Sequence, residues 1–186
     1  MFGKKAYLFY LLMVVFFVGC ENKIQDVQSF RKQVNGREEA KNIESYLSQA
    51  GKVKAKLTAP VMWRYQLDTP KVEFPNSLHV DFYDDTTAVE SKLDALYGNY
   101  LENQNLVYLK DSVRVVTRKG DSLWCKDLYW DQTTGKFHTD KIASAHMAND
   151  AQYIIGTNGF FADQNFNNIT FFEIRRSYIN IPDSTQ

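Results

Sequence analysis

The sequence predicts an all-β domain of antiparallel strands, on three observations. Hydrophobicity alternates with period two from about residue 50 onward, as half-buried strands require. Turn-forming residues recur every ten residues or so, with no amphipathic helix between them. Aromatic residues make up 15% of the chain, with 11 Tyr and 13 Phe, which suits strands better than helices.

The first segment is not part of that domain. Lys4 and Lys5 precede an uncharged apolar run from Ala6 to Val18, closed by Gly19-Cys20. A basic end, an apolar stretch and a small residue at the cleavage point are the layout of a secretory signal. A cysteine directly after the small residue is the lipoprotein variant, so Cys20 is the expected lipidation site, although Phe17 stands where the commonest lipobox has leucine. The alternative is an uncleaved membrane anchor, but the run has thirteen residues and a span takes roughly 20. Either way the chain after Cys20 is expected outside the cytoplasm, since positive flanks stay inside.

Loss of residues 1–19 leaves 20 basic and 22 acidic side chains, a net charge of −2 with no general attraction for nucleic acid. Cys125 is then the one remaining cysteine, so no internal disulfide supports the domain and its own core must hold it. The expected organisation is a signal or anchor at 1–19, a polar tether at 20–40, a β domain at 41–180 and a tail at 181–186.

Lys52 to Ala59 alternates without error, with Val53, Ala55, Leu57 and Ala59 on one face and three lysines on the other. Leu78 to Phe82 repeats the pattern. Further strands are expected at Val89 to Tyr97, Asn105 to Leu109, Ser112 to Thr117, Ser122 to Trp130, Lys136 to Ala143, Gln152 to Ile155, Gly159 to Asp163 and Asn168 to Arg176. The turns between them carry Ala50-Gly51, Asp84-Asp85, Asn103-Gln104-Asn105, Lys119-Gly120, Thr133-Thr134-Gly135 and Asn158-Gly159, residues that tolerate positive φ or bond their own backbone. A weak repeat links Asp94–Tyr100 with Cys125–Asp131, and stacked hairpins of a recurring unit build a layered structure rather than a closed barrel.

No catalytic or metal constellation stands out. His79, His138 and His146 lack ligand spacing, and Asp81, Asp84 and Asp85 lack the glycine and terminal glutamate of a calcium loop. There is no Gly-x-Ser-x-Gly and no Gly-rich phosphate loop, and Cys125 lies in a strand where a small buried thiol is the ordinary outcome. The expectation is a non-enzymatic protein without cofactor or metal. A hydrolase would need a carboxylate pair in one cleft, formed by residues distant along the chain. The inward positions mix small with large, Ala55, Ala59 and Ala95 beside Leu57, Phe82 and Val113, a pattern that suits either a filled core or an open groove.

Three stretches together resemble a known family. Gly51–Pro60, Ser91–Tyr100 and Gly120–Leu123 followed by Leu128–Lys136 are similar in order and spacing to the lipopolysaccharide-export protein LptC in its Bacteroidetes form, over about Ile43 to Ile174. The resemblance implies a twisted, V-shaped antiparallel β-jellyroll of the LptA/LptC/OstA type with an open apolar groove. It also implies a job: accepting lipopolysaccharide from the inner-membrane ABC transporter subunits LptB, LptF and LptG and passing it to an LptA-like periplasmic bridge. Acyl chains would lie in the groove, where each buried methylene is worth roughly 0.8 kcal/mol. The lining expected under this reading is Val53, Ala55, Leu57, Leu78, Val80, Phe82, Leu93, Ala95, Val113, Val115, Phe160, Phe172 and Ile174. Better-known members keep a membrane helix where this chain ends its signal at Cys20. The competing expectation is an envelope lipoprotein that binds proteins through its sheet edges and carries no lipid.

Overall fold

The structure, a computed structural model, describes residues 37–66, 69–148 and 152–179. Fourteen strands and one 3₁₀ turn, Glu102–Gln104, account for most of them, and every pairing is antiparallel. The signal, Cys20, the greater part of the expected tether and the expected tail at 181–186 lie outside the described residues.

The first hairpin joins β1 (Arg37–Gln49) to β2 (Lys52–Tyr65), in register from Arg37 opposite Tyr65 to Gln49 opposite Lys52. Ala50 and Gly51 turn it with φ of 50° and 76°, the doubly positive conformation whose twist matches the flanking strands. β1 begins inside the stretch expected as tether. Its inward set is thin, Ala40, Ile43 and Leu47 between charged neighbours, which is why no alternation announces it; charged side chains are how an edge strand avoids adventitious pairing.

The strands that follow are β3 (Lys71–Phe74), β4 (Leu78–Tyr83), β5 (Val89–Ala95), β6 (Tyr97–Leu101), β7 (Leu106–Thr117), β8 (Ser122–Asp131), β9 (Lys136–Thr139), β10 (Ala143–Met147), β11 (Gln152–Gly156), β12 (Phe160–Asp163), β13 (Ile169–Phe171) and β14 (Ile174–Ile179). The long ones change partners halfway. β2 pairs β4 through Ala55–Thr58 but β3 through Trp63–Tyr65. β7 pairs β6 through Leu106–Lys110 and β5 through Arg114–Thr117; β8 pairs β10 through Ser122–Cys125 and β9 through Tyr129–Asp131. Each long strand therefore belongs to two layers. The first holds β4, β5, β10, β11 and β14; the second holds β3, β6, β9, β12 and β13.

The change of layer falls on one row of corners. Asp111 and Ser112 form it in β7, with φ of 61° and 52° and a register shift against β8. Short strands break at the same level, at Leu96, at Asp140–Ile142, at Thr157–Gly159 and at Phe172–Glu173. Neighbouring corners bond to each other, Ser77 N to Leu96 O at 2.8 Å, Leu96 N to Asp111 O at 3.0 Å and Thr157 N to Glu173 O at 3.1 Å. The runs expected as single strands at Val89 to Tyr97 and Lys136 to Ala143 are each divided by such a corner, and the two expected at Asn105 to Leu109 and Ser112 to Thr117 are halves of β7. In the second case Thr139 Oγ1 accepts from Lys141 N at 3.2 Å and turns the chain out of the ladder.

Folding at the corners brings the layers face to face. Phe82 on β4 lies three strand spacings from β8, roughly 14 Å on a flat sheet, yet its ring meets Trp130 edge-on at 5.4 Å and Phe137 at 5.8 Å. The fold is thus an all-β antiparallel jellyroll whose core lies between layers. Phe82, Leu93, Leu109, Val113, Val115, Leu128, Phe137 and Phe160 are its large fully buried side chains. Cys125 belongs to this core: burial first, and the Asp127 charge second, push its thiol up to about 12, so it stays protonated and inert.

Candidate functional site

The two layers do not close along their whole length. A cavity of about 390 Å³ lies between them, within the roughly 300–1,000 Å³ of ligand pockets. Alternation supplies its walls. Ala55, Leu57, Leu78, Val80, Phe82 and Leu93 face it from the first layer, and Met62, Val72, Phe74, Tyr100, Val107, Leu109 and Trp130 from the second. Ser45, Tyr46 and Leu47 of β1 complete it, and Arg64, Glu102 and Gln132 stand along one lip.

Its ends differ. Toward β1 it is open, since Leu57, Met62 and Leu47 are only partly buried and Tyr46 is 54% exposed. Toward the C-terminal strands an aromatic block fills the space: Trp130 stacks on Phe137 at 5.4 Å, and Phe166 reaches Phe137 at 4.6 Å. Beyond the block, between Val115, Leu123, Phe166 and Ile169, about 10 Å³ remains, too little for an alkyl chain.

Of the residues expected to line a groove, Ala55, Leu57, Leu78, Val80, Phe82 and Leu93 line this cavity. Val113, Val115 and Phe160 are buried in the filled part beyond it, with 0–1% exposure. Ala95 is buried at the corner, beside a separate shallow depression that includes Asn42, Pro60 and Ser112. Val53 is half-buried ahead of the cavity, and Phe172 and Ile174 are exposed at the last corner. Sequence reasoning missed the second-layer wall. Val72 and Phe74 sit in a four-residue strand between Pro70 and Pro75, and Met62 and Arg64 follow a corner that shifts the phase of β2. Leu109 and Trp130 carried a usable signal, being in phase with their expected strands.

Outside the cavity several polar groups are engaged with one another. Lys52 and Lys54 pair with Asp85 at 3.4 and 2.7 Å and Lys56 with Glu44 at 2.9 Å, on the face turned away from the cavity. Asp84 accepts from Thr86 N, Thr86 Oγ1, Ala88 N and Arg118, which holds its carboxyl well below the usual range and occupies it as a turn residue. His79 lies 2.7 Å from Asp94 and 3.2 Å from Asp81. Tyr108, Tyr129, His138, Phe161 and Phe172 form a ladder of rings at 4.8–5.5 Å across the outer face of the second layer. The inner members lie nearly face to face, so those faces are turned on each other rather than on solvent. Lys71 and Tyr65 both bond Glu73 and outweigh the burial that opposes its charge, keeping its carboxyl low. Of the described residues lining the cavity, Glu102 alone carries a carboxylate.

Three comparisons with known proteins bear on this geometry. A family model described as lipopolysaccharide-assembly, LptC-related, matches residues 11–152. Among solved structures the chain is similar to the crystal structure of LptH, the LptA-homologous periplasmic component of the conserved lipopolysaccharide transport device of Pseudomonas aeruginosa. That likeness has 17% sequence identity and a TM-score of 0.35, over 51% of this chain and 75% of that one. Among curated proteins none matches.

Proposed function

The chain belongs to the LptC-related family of lipopolysaccharide-assembly proteins, and from that premise we propose that its inter-layer cavity holds acyl chains of lipopolysaccharide during export. A general role in lipopolysaccharide transport follows from the family. The finer reading is that the domain works on the periplasmic face of the inner membrane, tethered through Cys20. There it receives the lipid from the LptB, LptF and LptG transporter and hands it to an LptA-like bridge. No bond is made or broken in that transfer, so the residues act by burial and orientation and no catalytic group is required.

The observation that carries the reading is the cavity itself: two sets of alternating apolar side chains facing each other and left unfilled. A protein that needed only a core would close this space, since interiors pack at crystal density and voids destabilise. Opening toward β1 gives a chain a way in without crossing the ladder. Among the described residues no helix is long and apolar enough to cross a membrane.

Photo-crosslinking in cells tests the proposal. A crosslinking residue at Leu57, inside the cavity, is expected to yield a lipopolysaccharide adduct, and one at Lys54, on the opposite face of the same strand, is not. Equal labelling at both, or none at Leu57, overturns it. A second reading rests on the edges: among the described residues β1 pairs only with β2, and β13 and β14 each have one partner, so protein strands could be captured there without lipid. Depletion separates the two, because loss of a carrier strands lipopolysaccharide at the inner membrane and loss of a scaffold does not.

A further inference from the structure

Resting on the groove reading, we propose that Arg64 selects the head group of the bound amphiphile, leaving Glu102 to take up a phosphate or carboxylate while the chains occupy the cavity. Arg64 faces inward. It stands opposite Val72, a wall residue, whereas its neighbours Trp63 and Tyr65 point the other way and bond Glu39 and Glu73. Among the described residues lining the cavity it is the one cation, because the lysine stripe of β2 faces outward onto Asp85 and Glu44.

The charged lining is confined to one lip, while Ser45 and Tyr46 are the polar residues that β1 adds to the wall. Arg64, Glu102 and Gln132 all stand at the ends of second-layer strands, where Glu102 N bonds Pro70 O and Gln132 N bonds Asn105 O. Toward the corners the walls carry no charged side chain. An amphiphile bound here has its chains toward the corners and its head at this lip.

Arg64 and Glu102 are matched for exchange. Nε lies 3.1 Å from Oε1 and Nη2 lies 3.2 Å from Oε2, a two-point fork. A phosphate or carboxylate offers the same pair of oxygens, so the guanidinium changes partner without changing geometry. Arg64 is half exposed, and ion pairs so placed are weakly held. In the empty groove Glu102 neutralises the arginine and repels anions.

The test measures binding of tetradecyl phosphate, myristate and neutral tetradecyl maltoside to the full chain by calorimetry, all below their micelle concentrations. Both anions are expected to bind about tenfold more tightly than the maltoside, the size of one charge-assisted contact, with the phosphate ahead of myristate. Arg64→Gln should erase the preference and leave maltoside binding unchanged, which also certifies the fold. Glu102→Gln should raise anion affinity, and Lys54→Gln should change neither. If all three ligands bind without preference, or the preference survives Arg64→Gln, the head-group assignment is wrong while the groove stands. If none binds, the groove reading fails and this inference with it.

Discussion

Asn167 Nδ2 donates to Glu90 Oε1 at 3.0 Å, joining the β12–β13 turn of the second layer to β5 of the first across 77 residues of sequence. The turn that makes this tie is built around Asp163, whose carboxylate accepts from Asn167 N at 2.8 Å and Asn168 Nδ2 at 2.7 Å. It carries Phe166 inward with φ of 57°, a left-handed conformation that a bulky residue adopts only when its surroundings enforce it. The layers are thus clasped at the C-terminal end and free toward β1, which is why the cavity opens one way.

Phe166→Ala is accordingly expected to destabilise the domain by about 3–5 kcal/mol, the range for emptying a buried aromatic site. Asn167→Ala removes one exposed cross-layer bond and should lose about 1 kcal/mol. Urea unfolding of the two variants measures the difference; equal, small losses would show that Phe166 is not part of the packed block.

The walls of the cavity give a second contrast. Leu128 is fully buried in the filled core, whereas Leu57 is partly buried against open space. Leu128→Ala should therefore destabilise by about 2–5 kcal/mol. Leu57→Ala should lose less than about 1.5 kcal/mol, since a side chain that already borders a void leaves fewer contacts behind. Denaturation midpoints at unchanged m-value report both. Comparable losses would mean that the cavity closes in solution.

His79 sets a pH dependence with a definite sign. Partial burial works against its charge, but the bonds to Asp94 and Asp81 override that and hold its pKa above the ordinary value. A raised folded pKa contributes stability in full below the unfolded value of about 6.5, and that contribution is lost as pH rises through the folded value. His79→Gln is expected to lower stability near pH 5.5 and to be close to neutral near pH 9. Solvent screening keeps the effect under about 1 kcal/mol. An NMR titration of the imidazole that gave a value below 6.5 would contradict it.

The fold class was legible because alternation and turn residues act locally. Lys52 to Ala59 and Leu78 to Phe82 state their inward faces in the sequence alone, and both contribute to the cavity wall. The corners were not legible. Asp111-Ser112 and Asp140–Ile142 look like any polar interruption, and only the pairing across neighbouring chain segments decides whether such a break ends a strand or bends it. The groove assignment suffered for the same reason. Val113 and Leu93 have the same local pattern, but Val113 follows the corner in β7 and packs in the filled region, while Leu93 fronts open space. β1 and β3 were hidden by charge in one case and flanking prolines in the other. Arg64 was hidden by the phase shift after Pro60.

The corners also make the last prediction, through two glycines that share a positive φ. Gly51 has a φ of 76° with nothing within 4 Å of an added Cβ, so Gly51→Ala meets the backbone penalty alone, about 1 kcal/mol. Gly159 has a φ of 80°, but a Cβ there would lie 1.8 Å from Thr139 O and 2.9 Å from Asp140 Cα, inside the neighbouring corner. The two chain segments would have to separate, unseating β12 from β9 and the Phe160 side chain that β12 buries. Gly159→Ala should therefore destabilise by more than about 3 kcal/mol, at the exceptional end for a single substitution, and thermal unfolding of the pair distinguishes them. Equal melting temperatures would mean that the corners are pliable hinges rather than the fixed row on which the two layers fold.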